Sequence, residues 1–194
     1  MAESTSSRFS RAAGRTALAA AAALAPVLAA APVASATASG LDDTWSCSVP
    51  TGYVYDQIVA SSSCGTRPLY HLRTPVDGLV SCVTERGFVY DTASQTSNCS
   101  MVKSSKSASY RLRIPGDLVT SCVTATGFVH DLVTARAECS MSPGSTNPAY
   151  RLRTPVDGLW ACKVPAGWTY SATVTDRDCS HSITSTATKY RLKA

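Results

Sequence analysis

The sequence predicts an all-β protein made of four tandem, disulfide-stapled units, and three observations carry that prediction. Eight cysteines fall into four pairs, Cys47/Cys64, Cys82/Cys99, Cys122/Cys139 and Cys162/Cys179, each pair 17 positions apart. The same residues return around them at fixed offsets. A glycine stands five positions after each first cysteine (Gly52, Gly87, Gly127, Gly167), an aromatic follows it (Tyr53, Phe88, Phe128, Trp168), and Tyr-x-Leu closes every unit (Tyr70/Leu72, Tyr110/Leu112, Tyr150/Leu152, Tyr190/Leu192). Past residue 36, finally, no segment has the three-to-four-residue apolar spacing of an amphipathic helix. Such regular offsets define a repeat, and a repeat decides the architecture before any single residue does.

In chain order, residues 1–36 come first. Arg8, Arg11 and Arg15 precede an Ala/Leu/Val run that ends in Ala34-Ser35-Ala36, the basic region, apolar region and small-residue site of a secretory signal peptide. A membrane anchor is the competing reading, but the strongly apolar part is short for a bilayer and no later apolar run exists. The Ala-rich leader has a bacterial look, and the arginines are not adjacent, which favours the general secretion route. Removing Arg8, Arg11, Arg15 and Glu3 from 18 basic and 13 acidic residues leaves 15 and 12, a net +3. So mild a charge does not point to nucleic acid. A short segment, 37–44, leads into units over 45–79, 80–119, 120–159 and 160–194.

One unit resolves into about three short antiparallel strands. The first carries the first cysteine, as in LVSCVT (79–84). A turn follows, Val49-Pro50-Thr51-Gly52 in unit 1 and Val164-Pro165-Ala166-Gly167 in unit 4, where proline second and glycine fourth fit a type I turn. The second strand is GFVYD (87–91). A Ser/Thr-rich loop then carries the second cysteine, and YRLR (110–113) is the third strand, with Tyr110 and Leu112 on one face and arginines on the other. The link TPVDG (74–78, 154–158), containing Asp-Gly between strands, reads as a hairpin that pairs the last strand of one unit with the first of the next. On that reading Trp45–Val49 and Tyr190–Lys193 are left without partners. Pairing them closes the chain into one pseudo-symmetric body; the competing arrangements are paired units, or an open array whose atypical first and last units are end caps.

The constant separation favours disulfides within each unit over bridges between units, although eight cysteines allow 105 pairings. An even cysteine count in an exported chain reads as a disulfide framework. Zinc would need closely spaced ligand pairs, which are absent, so neither a metal nor a cofactor is expected. Catalysis is not expected either. His71 and His130 are strand substitutions and His181 lies in a loop; no nucleophile elbow occurs. Asp56, Asp91 and Asp131 follow the second strand, where unit 4 has Ser171, and look like partners of nearby arginines. A secreted hydrolase would need converging His and Asp in a cleft. Asn98-Cys99-Ser100 matches a glycosylation pattern that is irrelevant in a bacterium.

Two surfaces are candidates for binding. His71/Arg73, Arg111/Arg113, Arg151/Arg153 and Arg191/Lys193 form a basic row that could meet an anionic polymer, unless Asp56, Asp91, Asp131, Asp77, Asp117 and Asp157 neutralise it. Aromatics near the first turn could stack on sugar rings or fill the core. Phe88 and Phe128 fit core, whereas Trp45, Trp160 and Trp168, confined to the outer units, are ligand candidates together with Tyr170, beside Arg73, Arg113, Arg153 and Arg191. The segments that vary most, 65–69, 100–109, 140–149 and 180–189, are polar loops suited to recognition. The expected function is that of a secreted, non-enzymatic, multivalent binder, lectin-like, for a glycan or anionic cell-wall polymer. The alternative is an adaptor subunit of a secreted assembly such as a toxin complex, or an inhibitor of an extracellular enzyme. A lectin should show equivalent pockets in several units; a protein binder should use unlike loops.

Overall fold

The computed structural model describes residues 40–102, 104–182 and 184–194. The expected leader and its cleavage site lie outside the described residues.

Each unit is one three-stranded antiparallel sheet. Unit 1 holds β1 (Thr44–Ser46), β2 (Val54–Ala60) and β3 (Pro68–Arg73), and unit 2 holds β4 (Val80–Ser81), β5 (Val89–Thr96) and β6 (Ser107–Arg113). Unit 3 holds β7 (Thr120–Ser121), β8 (Val129–Arg136) and β9 (Asn147–Arg153), and unit 4 holds β10 (Trp160–Ala161), β11 (Thr169–Asp176) and β12 (Ala187–Lys193). The third strand of each unit is central, flanked by its own first and second. The four disulfides are all within units, Cys47–Cys64, Cys82–Cys99, Cys122–Cys139 and Cys162–Cys179. They tie the start of each sheet to the turn after its second strand.

Three expectations from sequence are corrected. First, the PVDG link is not a hairpin. Asp77 accepts the Ile114 N–H at 2.8 Å and Gly78 donates to the Leu112 carbonyl at 2.8 Å, so the link fastens to the far end of the sheet it is entering. The short first strand therefore pairs with the third strand of its own unit. Secondly, no ring closes. β1 pairs with β3, and β12 is already occupied on both sides by β10 and β11. Thirdly, the turn before the second strand is shifted by one residue. Tyr53 N–H bonds the Pro50 carbonyl, and Gly52, with φ 86°, takes the third position of a type II turn, which needs the positive φ glycine tolerates.

The second strands are longer than the sequence indicated because each carries a bulge. Tyr90 opposes Leu112 and Thr92 opposes Arg111, leaving Asp91 as the extra residue; Asp56, Asp131 and Ser171 hold the same place. A bulge re-aims the side chain it inserts, and here it delivers a carboxylate to the arginine face of the third strand.

On the other face Leu72, Leu112, Leu152 and Leu192 are at most 1% exposed, so the closing leucine of every unit is its core. The closing tyrosines pack edge-on or tilted against the second strand. Tyr70, Tyr110, Tyr150 and Tyr190 lie 4.8 to 5.3 Å, centroid to centroid, from Tyr55, Tyr90, His130 and Tyr170.

The units follow one another through a single kind of junction. The carbonyl of the residue before the bulge accepts the N–H of the next unit's first cysteine: Tyr55 from Cys82 at 2.8 Å, Tyr90 from Cys122 at 2.7 Å, His130 from Cys162 at 2.8 Å. Ser81 and Ser121 hydroxyls donate to the same Tyr55 and Tyr90 carbonyls at 3.1 Å. Apolar contact reinforces this. Val129 of unit 3 packs in one cluster with Ala161 and Leu192 of unit 4, with Leu159, Val164 and Trp168 around it. Val54 and Val89, the counterparts of Val129, are equally buried. The same position at the free end of unit 4 is Thr169, which is exposed.

Candidate functional site

The basic row is neutralised in three units out of four. Asp91 takes Arg111 Nε at 2.7 Å on one oxygen and Arg113 Nη1 at 2.8 Å on the other, while Arg113 Nε reaches Asp77 at 3.0 Å. Unit 3 repeats this with Asp131, Arg151, Arg153 and Asp117. In unit 1, Asp56 holds His71 at 2.7 Å and Arg73 at 3.1 Å. Burial opposes charge on Asp91 and Asp131, but the hydrogen bonds from their two arginines outweigh it and hold both carboxyls below the ordinary range. Unit 4 lacks the carboxylate. Ser171 Oγ donates instead to the Arg191 carbonyl at 3.4 Å, and among the described residues neither Arg191 nor Lys193 has an acidic partner.

The candidate ligand residues do not gather in one place. Arg73, Arg113 and Arg153 are held in the ion pairs of units 1, 2 and 3. Trp45, 45% exposed, packs at 4.9 Å on His71 at the outer end of unit 1. Trp168 packs on the apolar cluster between units 3 and 4. Trp160 lies opposite Arg191 in the β10–β12 ladder, and Tyr170, 53% exposed, stands on β11. Trp160, Arg191 and Tyr170 therefore share the sheet of unit 4, whereas Trp45 is at the opposite end of the chain of units.

What does recur is a cleft at each junction, between the outer half of one unit's second strand and the turn and loop around the next unit's second cysteine. The first is lined by Gln57, Ile58, Val59 and Ala60 against Ser97, Asn98, Ser100 and Met101. The second joins Ala93, Ser94 and Gln95 to Ala137, Ser140 and Met141. The third joins Leu132, Val133, Thr134 and Ala135 to Arg177, Asp178, Ser180 and His181. Residues on each wall correspond through the repeat, so these are three copies of one feature. The strand walls carry apolar, small and, in the first two, glutamine side chains; serine hydroxyls stand on every loop wall, joined in the third by Arg177, Asp178 and His181.

The loop wall is preorganised in the same way each time. Ser100 Oγ accepts the Val102 N–H, Ser140 Oγ that of Ser142, and Ser180 Oγ that of Ser182, all at 3.2 Å. The rims then diverge: Met101 and Met141 become His181, and the third cleft adds Asp178, which holds Lys189 at 2.6 Å. Sequence reasoning placed recognition in the variable loops but missed their opposite wall. A serine directly after the second cysteine in three units was the available signal.

His130 marks the third junction as different. Burial lowers its imidazole pKa below the ordinary value, the nearby Lys163 cation lowers it further, and Asp131 opposes both. The folded state thus favours neutral His130, and its contribution to stability is present above the ordinary imidazole value, about 6.5, and is lost as pH falls from there towards the lower folded value. Melting temperature should therefore decline on mild acidification. His130→Tyr, which installs the residue found at Tyr55, Tyr90 and Tyr170, should remove that decline. Parallel melts of both proteins across this range check it, and equal slopes would refute it.

No protein-family model matches the chain, and no curated protein or solved structure is significantly similar to it. The four disulfides point to an oxidising, extracellular environment. No helix among the described residues is long and apolar enough to cross a membrane, and no metal-ligand cluster occurs among them.

Proposed function

We propose that the protein is a secreted, non-enzymatic, multivalent binder with lectin-like recognition of cell-wall or extracellular polysaccharide. The supporting observation is the threefold recurrence of one cleft along a stapled array. A polymer of repeated sugars offers the same epitope at intervals, and a row of equivalent, individually weak sites converts that regularity into avidity. The serine hydroxyls and other polar groups of the rims supply donors and acceptors for sugar hydroxyls, and the apolar side chains of the strand wall, Ile58 and Val59 or Leu132 and Val133, offer a surface to the apolar face of a ring. The unpaired Arg191 and Lys193 add a place for an anionic substituent at one end only.

The test is a glycan array followed by calorimetry with the best oligosaccharide, run beside pull-down from culture supernatant. Saturation at one short ligand per cleft supports the reading. A stoichiometric protein partner with no glycan binding overturns it in favour of an adaptor or inhibitor. Asn98→Trp, an exposed position on the wall of the first cleft, should remove one bound ligand in three and lower polymer affinity about tenfold or more through lost avidity. Unchanged stoichiometry would show that the clefts are not the sites.

A further inference from the structure

We propose that one copy of the chain docks head to tail on a second, the free edge of β11 in unit 4 receiving unit 1 of the next copy. This inference is independent of the glycan reading. The internal junction is heterologous: a second strand on one side, a first cysteine and its turn on the other. Such an interface leaves one unused half at each end of an array, and the two halves are complementary.

Both unused halves are intact. At the tail, the Tyr170 carbonyl occupies the place of the Tyr55, Tyr90 and His130 carbonyls, but among the described residues no first-cysteine N–H donates to it. At the head, Cys47 N–H makes no backbone bond among the described residues, whereas Cys82, Cys122 and Cys162 each donate to the unit before. Ser46 Oγ accepts the Ser48 N–H just as Ser81 accepts from Val83, yet its own proton has no acceptor among the described residues, while Ser81 donates to Tyr55.

Shape is retained at the tail. Thr169 and Thr173 stand where Val129 and Val133 are buried, and threonine has valine's outline. Thr169 directs its hydroxyl to the Lys193 carbonyl at 3.2 Å, which satisfies it within the unit. The edge from Thr169 to Val174 contains no charge and no proline, the residues that usually guard an exposed strand. Replacing two valines by threonines makes the contact wetter, so association between copies is weaker than the junctions within one.

Charge selects the partner. Between units 2 and 3, Arg111 and Arg113 line one cavity with Asp117 and Leu118 of the link that fastens to unit 3. The counterparts at the open ends are Arg191 and Lys193 at the tail, without acidic partners, and Asp42 and Asp43 at the head. The head carboxylates pair within unit 1, Asp42 with Arg73 at 3.7 Å and Asp43 with His71 at 3.1 Å, yet remain 50% and 76% exposed. Cations without partners and exposed carboxylates thus fall on opposite sides of the same contact.

Sedimentation velocity over a range of concentrations reads the association directly. Weight-average mass should climb with concentration, less so at high salt. Thr173→Arg spoils the tail and Ser63→Arg spoils the head, since Ser63 is the counterpart of the Glu138 that lines the cavity on the Asp117 side; both sites are exposed. Each variant alone should stay monomeric with an unchanged melting temperature. Mixed, the two should form one-to-one dimers and nothing longer, because only one good head and one good tail remain. A monomeric native protein at every concentration would overturn the proposal. So would a Ser63→Arg variant that still dimerises, which would mean that two β11 edges pair with each other.

Discussion

Replacing Cys122 and Cys139 together by alanine should destabilise the protein by about 3 kcal/mol, the chain-entropy value for a loop of this length. The same change at Cys47 and Cys64 opens a loop of identical separation, 17 residues, but should have milder consequences. Unit 3 has a neighbour on either side. Its turn Ala137–Cys139 packs on β5, and its His130 carbonyl holds the N–H of Cys162. In a quasi-linear array, stability is a sum of unit and nearest-neighbour terms. Loosening an interior unit therefore forfeits its own stability and two junctions, whereas loosening unit 1 forfeits one. Calorimetry should resolve the interior variant into more than one transition and leave the terminal variant with a single main transition preceded by fraying. Equal effects at both sites would show that the units do not communicate through the junctions.

How far the sequence reaches can be argued from particular residues. The disulfide pairing followed from a separation that stays at 17 while the interval between units varies. The core leucines followed from Tyr-x-Leu, because alternation on a strand puts Leu112 on one face and Arg111 and Arg113 on the other. What failed was long-range order. Asp-Gly between two strands is the usual mark of a hairpin, but Asp77 spends its carboxylate on the Ile114 N–H and Arg113, across the sheet it is entering. That contact spans 37 residues and leaves no local trace. The bulge at Asp91 was equally hidden, since an inserted residue looks like any other until its partner strand is known. Without the bulge, the aspartates could be suspected of pairing with arginines but not placed between two of them. The junction clefts were half legible: their loops vary conspicuously, while their other wall is an ordinary strand of Ile58, Ala93 and Val133 that only the stacking of units turns into a surface.

Asp131→Ala tests the most buried of these carboxylates, and the expected loss is about 3 kcal/mol. The Asp131 side chain is 6% exposed and accepts from Arg151 at 2.7 and 2.9 Å and from Arg153 at 2.6 Å. Removing it leaves Arg151 without an acidic partner among the described residues and Arg153 with Asp117 alone, at 3.0 Å, and the repulsion between the two guanidinium groups adds to the lost hydrogen bonds. Partial exposure of the arginines, 39% and 25%, keeps the cost below the upper range for fully buried pairs. Unit 4 shows what makes the arrangement dispensable: where Ser171 replaces the aspartate, Arg191 and Lys193 are both exposed and water serves as the counter-charge medium. Asp131→Ser, which copies unit 4 into unit 3, should thus be nearly as damaging as alanine, because the surroundings and not the serine make the absence tolerable. The pH dependence separates this from a packing defect. The folded pKa of Asp131 is depressed, so its contribution is present above the ordinary carboxylate value, about 4, and is lost as pH falls through the lower folded value. Native and Asp131→Ala proteins should therefore differ most in melting temperature near neutrality and converge in acid. A gap that stays constant down to the acid limit would assign the loss to the cavity and not to the ion pairs.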